Sequence, residues 1–318
     1  MSTRSSGTPH ISVVTPLFNC LELTKAMLES LRASIPRRMA HEIILVDDAS
    51  TDGTRDWLST LGHPFRVVLN ERNLGFGAAT NRGAAVARGR ILALLNNDLV
   101  LTRGWLGPML GALDSLGVMA GLVGNLQVDA ATLKLDHAGI YFDRKCKPRH
   151  DRREPGLASI LLDPVREVAA VTGACLVVNR DTWVRLGGFD ERYFNGCEDV
   201  DLCIRAREAG LINAVALRSR VLHHVSASPG RKIRDEANTR RLFRRWRRQI
   251  AVLAGWRWTW RHFRRSFDEP RDFPEPLEAC RVALFLTHVR RRPPPNSLAA
   301  MNEVIDKELA RWRNLIPD

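Results

Sequence analysis

The 318-residue chain is predicted to be an α/β protein, a mostly parallel central sheet with flanking helices and a helical, basic C-terminal extension. Three observations predict it. Short apolar, often β-branched runs alternate with stretches of helical spacing from Ile11 to Val123. Polar residues follow several of those runs directly. Past Gly230 the composition changes to arginine and tryptophan. Alternation of this kind is the pattern of parallel strands joined by right-handed crossovers.

Taken in order, Ile11–Thr15 is a β-branched run stopped by Pro16, and Leu21–Leu31 has helical spacing. Glu42–Val46 is a second strand ending on Asp47-Asp48. Thr51 and Asp52 can cap the next helix, which turns Trp57 and Leu58 inward. Phe65–Leu69 is a strand, Gly77–Arg88 a helix, and Ile91–Leu95 a strand ending on Asn96-Asn97-Asp98. Gly104–Leu116 and Val118–Val123 continue as helix and strand. Regular alternation is lost over Asn125–Asp163, which is expected to be irregular or antiparallel. It returns with Val168–Asn179, Asp181–Leu186, a Gly187-Gly188 break and a helix from Glu198 to Ala209, closed by Gly210. Leu211–Leu217 is a last strand leading to His223-His224. Three pieces are expected: a leader over residues 1–10, a catalytic domain over 11–230 and an Arg/Trp-rich helical extension over 231–318.

Apolar content of 45% and charged content of 26% are ordinary for a soluble globular protein. The net charge of +13 is local: Arg231–Arg265 holds 13 Lys/Arg against Asp235 and Glu236, so it alone carries +11. The positive field belongs to that segment. The six cysteines show no C-x-x-C pair and are expected to be reduced thiols. The Met1–His10 leader has no apolar stretch behind it, and no run approaches the about 20 apolar residues that span a bilayer. The expected location is the cytoplasm, with peripheral contact to the cytoplasmic face of the inner membrane.

In parallel sheets ligands gather at the carboxyl ends of the strands, which is where the polar residues of this chain fall. Pro16 to Asn19, Asp47-Asp48 and Asn96 to Asp98 each follow a strand. Asp47 is placed to accept hydrogen bonds from a base or ribose. Asp48 is as readily a turn cap. Asp98 beside two amides is a hard-oxygen environment suited to Mg2+ or Mn2+, with a substrate diphosphate completing the shell. The turn Asn73-Leu74-Gly75-Phe76-Gly77 fails the G-x-G-x-x-G pattern at Thr80, but a glycine turn opening a helix suits a phosphate or sugar. Arg82 faces either that phosphate or solvent. Glu198, Asp199 and Asp201 open a helix, where the dipole favours acids, yet three exceed what capping needs. A carboxylate among like charges suits a general base. Asp199 is the candidate base, Glu198 an acceptor-positioning group, and Asp201 an orienting group for the helix or a basic neighbour. His223 or His224 could complete a metal shell.

At these positions the chain resembles family 2 glycosyltransferases, through Val13-Val14-Thr15-Pro16-Leu17-Phe18-Asn19, Val46-Asp47-Asp48-Ala49-Ser50-Thr51-Asp52-Gly53, Asn73-Leu74-Gly75-Phe76, Leu95-Asn96-Asn97-Asp98, Gly187-Gly188-Phe189-Asp190-Glu191 and Glu198-Asp199-Val200-Asp201-Leu202. It is most similar to the rhamnosyltransferase-like bacterial members that build surface polysaccharides. The resemblance runs from Ile11 to Arg231. It implies a GT-A fold, a nucleoside-diphosphate-sugar donor, a divalent metal and inversion at the anomeric carbon. Asp98 would be the metal-binding acid of D-x-D, Asp199 the base and Asp47 a nucleotide contact. Thr15, Pro16, Asn19, Asn73, Gly75, Arg82 and Asn97 join Asp47 as candidate donor contacts. Asn96 replaces the first acid of D-x-D, which leaves His223 as the compensating metal ligand. The expected reaction is transfer of a sugar, rhamnose among the candidates, to a glycan or lipid-linked acceptor in cell-surface polysaccharide synthesis.

Two readings suit Arg231–Arg265. It lies on an anionic membrane with aromatics at the interface, or it forms helices packed with their tryptophans inward and arginines solvated. Single-stranded nucleic acid is a third basic-aromatic ligand, disfavoured because the main domain has no such bias. Among enzymes the alternative is a sugar-nucleotide nucleotidyltransferase, which needs a Gly-rich, Arg/Lys-bearing loop after the first strand; Pro16-Leu17-Phe18-Asn19 is not one. A sugar-nucleotide-binding module without activity would lack the base, and Asp199 is present.

Overall fold

The computed structural model describes residues 10–225, 234–268, 275–287, 289–290 and 292–315. Most of the expected leader, the start of the basic segment (Arg231 and Lys232) and the helix-breaking Pro270 and Pro274 lie outside the described residues. The chain divides into two compact units. One takes the residues up to Ile140 together with His150–Asp235; the other takes Tyr141–Arg149 and the chain from Glu236 on.

The first unit is built on strands β1 (Ile11–Leu17), β2 (His41–Asp47), β3 (Phe65–Leu69), β4 (Ile91–Leu95), β5 (Leu99–Leu101), β6 (Ala120–Asp129), β7 (Leu135–His137), β10 (Val165–Glu167), β11 (Cys175–Asn179) and β12 (Ile212–His223). They form one sheet in the order β10-β12-β6-β11-β4-β1-β2-β3, with β5 on β12 and β7 on β6. The expected parallel run is β3-β2-β1-β4. All of β1 and β4 is buried, as continuous apolar strands covered on both faces must be. Beyond β4 the sheet becomes mixed. β11 enters antiparallel between β4 and β6, and β12 runs parallel to β6.

Several boundaries differ from expectation. Only Cys175–Asn179 of the Val168–Asn179 run is strand. β6 starts at Ala120, after a short 3-10 turn over Gly117–Met119, and runs on to Asp129, inside the stretch read as irregular. The last strand is twelve residues and reaches His223 itself.

Helices α1 (Leu21–Ser34), α2 (Thr54–Ser59), α3 (Phe76–Val86), α4 (Leu106–Leu116), α5 (Leu157–Leu162), α6 (Arg180–Leu186) and α7 (Glu198–Glu208) belong to this unit. α3 crosses the sheet at glycine distance: a Cβ on Gly83 would meet Val14 Cγ1 at 2.4 Å and Val46 Cγ2 at 2.8 Å. That approach fixes where the first turn of α3, and the Gly75 loop before it, meets the strand ends. On α1, Met27, Leu28 and Leu31 are buried in the core with the Trp105 ring, whose Nε1 donates to Ser34 Oγ at 3.1 Å. Large buried side chains of this kind stabilise by about 1.5–3 kcal/mol each.

The second unit contains α8 (Asp235–Asp268, kinked at Trp246), α9 (Pro276–Leu286) and α10 (Pro295–Leu315). A hairpin of β8 (Ile140–Phe142) and β9 (Pro148–His150) is paired apart from the main sheet, and its Tyr141–Arg149 part falls in this unit. Leu242, Phe243, Ile250, Phe285, Met301, Ile305 and Trp312 are buried, with Phe243 and Trp312 edge to face at 5.1 Å. The apolar stripe of α8 is therefore used inside this unit, while Arg241, Arg244, Arg245 and Arg248 face solvent. All six cysteines are free thiols. No helix among the described residues is long and apolar enough to cross a membrane.

Candidate active site

Parallel register puts the carboxyl ends of the strands on one edge: Leu17 lies opposite Asp47, and Asp47 opposite Leu69. Thr15 and Pro16 lie in β1 just before its last residue, Leu17. Thr15 Oγ1 is buried without a partner. Pro16 is tolerated in a central strand because pairing with β4 stops at Val14.

The loops beyond the edge are held by their own amides and acids. Asn19, in a left-handed conformation (φ 56°), accepts the Thr51 N–H at 2.8 Å and donates its own N–H to Ser50 Oγ at 2.8 Å. Asn97 donates to the Asn19 carbonyl at 3.3 Å and to Thr24 Oγ1 at 2.9 Å. These contacts fasten the loops after β1, β2 and β4 to one another. Asp52 accepts the N–H groups of Leu21 and Thr54, at 3.0 and 3.1 Å, so it serves the starts of two helices.

Asp47 is fully buried and paired with Arg55 at 2.8 Å. Asp48 accepts the N–H groups of Leu74 and Gly75 and the side chain of Asn70, at 2.9, 2.8 and 2.8 Å. It is the residue that shapes the Asn73–Phe76 turn. Gly75 is required there: its φ is +88°, and a Cβ would meet Phe194 Cδ2 at 2.9 Å. Asn73 accepts from the Gly75 N–H at 3.0 Å, and Asn195 accepts from the Phe76 N–H at 2.8 Å. Arg82 points its Nη1 to Asn70 Oδ1 at 2.9 Å.

Motif order does not single out Asn70, Arg55, Asn81 or Arg234 among their neighbours. Asn70 directly follows β3, so the strand-end rule that flagged Asp47 and Asp98 also applies to it. Asn81 receives the Phe189 N–H and donates to the Phe189 carbonyl, both at 2.9 Å. It thereby ties the Gly188–Glu191 motif to α3. The Arg234 guanidinium lies 4.5 Å over the Phe194 ring, beside the Gly75 turn.

At the N-terminus of α7 the three acids separate. Glu198 is buried and accepts the Gly196 N–H at 2.6 Å. Asp201 is fully buried and holds Arg205 Nε at 2.8 Å, and Arg205 in turn donates to the carbonyls of Leu186 and Gly188. Asp199 is half-buried; its Oδ2 accepts the Gly173 N–H at 2.9 Å and its Oδ1 the Val200 N–H at 2.8 Å. The next residue along, Ala174, accepts the Asn96 N–H at 2.8 Å. Asp199 and the Asn96–Asp98 turn are thus joined through the two residues before β11.

Asp98 directly precedes β5 and His223 is the last residue of β12, and β5 pairs antiparallel with β12. This brings His223 Nε2 to 3.2 Å from Asp98 Oδ1. Neither atom, nor His223 Nδ1, nor Asn96 Oδ1, is in a hydrogen bond although all are buried. Buried polar atoms are almost always satisfied, so a carboxylate and an imidazole that converge without bonding fit a shared cation. Among the described residues no group of three or more His, Cys, Asp or Glu gathers to hold a metal; this pair could supply at most two such ligands. His224 contributes its backbone N–H to the Asp98 carbonyl at 2.9 Å, which distinguishes the two histidines.

The mixed sheet, with acids at the carboxyl edge and an Asp–His pair across β5 and β12, defines a GT-A glycosyltransferase fold. A solved GalNAc-T7 structure with UDP, GalNAc and Mn2+ shares it, with a TM-score of 0.57 at 18% identity, over 69% of this chain and 44% of that one. The family model of glycosyl transferase family 2 matches residues 12–160. N-acetylglucosaminyl-diphospho-decaprenol L-rhamnosyltransferase of Mycobacterium tuberculosis is 30% identical over 59% of this chain and 68% of its own length. O-antigen biosynthesis protein RfbC of Myxococcus xanthus is 31% identical over 70% of this chain, which spans only 18% of that longer protein. The chain belongs to glycosyltransferase family 2.

Proposed function

We propose that the protein transfers a sugar, with inversion, from a nucleoside-diphosphate sugar to a hydroxyl of a glycan or lipid-linked acceptor in surface-polysaccharide synthesis. The observation that carries this is the buried, unbonded Asp98–His223 pair on the same sheet edge as a half-exposed Asp199. Asp98 and His223 would hold Mg2+ or Mn2+. A divalent cation there would neutralise charge growing on the departing diphosphate.

Asp199 is the base. Its two backbone N–H partners fix the carboxylate in place, and it takes the acceptor proton as the hydroxyl attacks. Glu198 shapes the start of the same helix beneath it. On the donor side, Asn19 and Asn97 hold the loops, and Asp48 holds the Gly75 turn open to a diphosphate. Asp47 acts through Arg55, Thr15 offers a free hydroxyl at the strand end, and Arg82 can turn from Asn70 toward a phosphate. The mycobacterial relative makes nucleotide-linked rhamnose and a polyprenyl-diphosphate-linked acceptor the first pair to try. The exposed arginines of α8 would draw the enzyme to an anionic membrane surface.

Asp199→Asn should lower transfer by about 10²-fold or more while donor affinity stays within a few-fold. Equal loss of donor binding and turnover would remove Asp199 as base. A panel of nucleotide sugars, assayed for donor hydrolysis, identifies the sugar and the nucleotide.

A further inference from the structure

Three buried side chains of the catalytic unit share one face of the sheet without a hydrogen bond among them. Val221 lies opposite Gln127 across β12 and β6, and Gln127 lies opposite His137 across β6 and β7. Paired residues point to one face, as do residues two apart on a strand. His223, Gln127 and His137 therefore face the same way. Gln127 is 1% exposed, His137 0% and His223 4%. Gln127 Nε2, both ring nitrogens of His137 and His223 Nδ1 are nevertheless in no hydrogen bond. One such atom is an exception among buried polar groups; a run of them on three neighbouring strands is a polar seam inside the sheet.

The seam leads to the Asp98–His223 pair. Strands lie about 4.8 Å apart and two residues advance about 6.7 Å, so the Gln127 and His223 backbones are diagonal neighbours at about 8 Å. Two long side chains span such a diagonal with a water between them. Burial lowers the pKa of His137, and the charges of His150 and His223 lower it further. That ring is neutral, with one bare nitrogen to accept, and it lies in the field of His223. A single water matches the three groups. It accepts from Gln127 Nε2–H and from His223 Nδ1–H, and it donates to the bare nitrogen of His137. Buried waters make about three such bonds.

We propose that Gln127 is a positioning residue for His223: with His137 it seats one ordered water that takes the His223 Nδ1–H. This leaves Nε2, the nitrogen 3.2 Å from Asp98 Oδ1, bare for a divalent cation. An imidazole presents one nitrogen to a metal when its other N–H is held in place. Gln127 does not touch the cation and acts only through the orientation and tautomer of His223. The inference rests on the reading of Asp98 and His223 as the metal pair.

The test is Mn2+ titration calorimetry of the full chain, with thermal melting beside it. Gln127→Leu should weaken Mn2+ binding by about tenfold or more. Its melting midpoint should hold or rise, because an apolar side chain of similar size brings no polar group to satisfy. Gln127→Glu can still hold the water, so its Mn2+ affinity should stay within a few-fold of wild type although a buried carboxylate lowers its melting. A packing role alone would reverse that order, with Leu binding Mn2+ like wild type and Glu weakened, and would overturn the proposal. Gln127→Met is the second apolar variant and gives the same reading should Leu fail to fold. Because Gln127 acts only through His223, Gln127→Leu combined with His223→Ala should bind Mn2+ no more weakly than His223→Ala alone. Additive losses overturn the proposal as well. A crystal structure of wild type should show one ordered water in hydrogen-bond reach of Gln127 and His223 Nδ1, and a structure with none there also overturns it. His223→Ala separates this inference from the reading beneath it. Unchanged Mn2+ affinity in that variant sinks the metal pair and the inference together. A loss there with none in Gln127→Leu sinks the inference and leaves the metal pair standing.

Discussion

Asp98 Oδ1 and His223 Nε2 lie 3.2 Å apart, both buried and neither hydrogen-bonded. His223→Ala should weaken Mn2+ binding, followed by titration calorimetry, by about tenfold or more, with the melting curve preserved. Unchanged Mn2+ affinity would dissociate His223 from the metal. Gly75 offers a different kind of residue-level test. Its φ of +88° and the 2.9 Å approach to Phe194 make Gly75→Ala costly, by about 1–3 kcal/mol, measurable as a lowered midpoint in urea. These examples also show what was legible at this scale. Asp98, His223 and Asp199 could be named from strand ends and motif order. The partner of Asp47 could not, because Arg55 reaches it from the following helix, and nothing in the spacing distinguishes that guanidinium from a solvated one.

At the level of elements, α3 and α7 hold the site between them. Asn81 and Arg205 both act on the Gly187–Glu191 turn, one from each helix. Arg205 also neutralises the fully buried Asp201, as expected of a group that orients a basic neighbour. Arg205→Met should therefore destabilise by about 3–5 kcal/mol, since it leaves a buried carboxylate without its cation. Asp201→Asn combined with Arg205→Met should recover part of that loss in the same denaturant titration. Full additivity of the two would show that they do not interact. The helix and its acids were legible from the run Glu198 to Ala209. The division of labour among those acids was not, because all three carry the same charge at the same helix end and only their different neighbours separate them.

Across the molecule, the catalytic unit contains a titratable group with a clear sign. His137 is fully buried, and burial, followed by the positive field of His150, holds its pKa well below the usual 6.5. The ring is therefore neutral in the folded chain and takes up a proton on unfolding in acid. Stability from this group is complete above about pH 6.5 and falls as pH drops below it, by at most ~1.4 kcal/mol per pH unit. Melting measured between pH 7.5 and 5 should show this slope, and His137→Gln should flatten it; an unaltered slope would assign the loss to another group. Asp136 and Asp151, whose pKa values are lowered, add a separate loss only in more acidic solution, as pH falls from their ordinary values through the lowered ones.

By itself the sequence determined the alternation of strands and helices through β4, the acidic and amide residues at the carboxyl edge, and the family. Each follows from periodicity or from short-range order in the chain. The antiparallel entry of β11 between β4 and β6 was a tertiary decision, since a buried apolar strand reads the same in either direction. So was the recruitment of Tyr141–Arg149 into the second unit, where Lys147 pairs with Glu308 and Cys146 lies against Met301. The same holds for the meeting of Asp98 with His223, 125 positions apart by their numbers. These depend on which surfaces bury one another, and that is settled only when distant segments compete for the same partners in the folded chain.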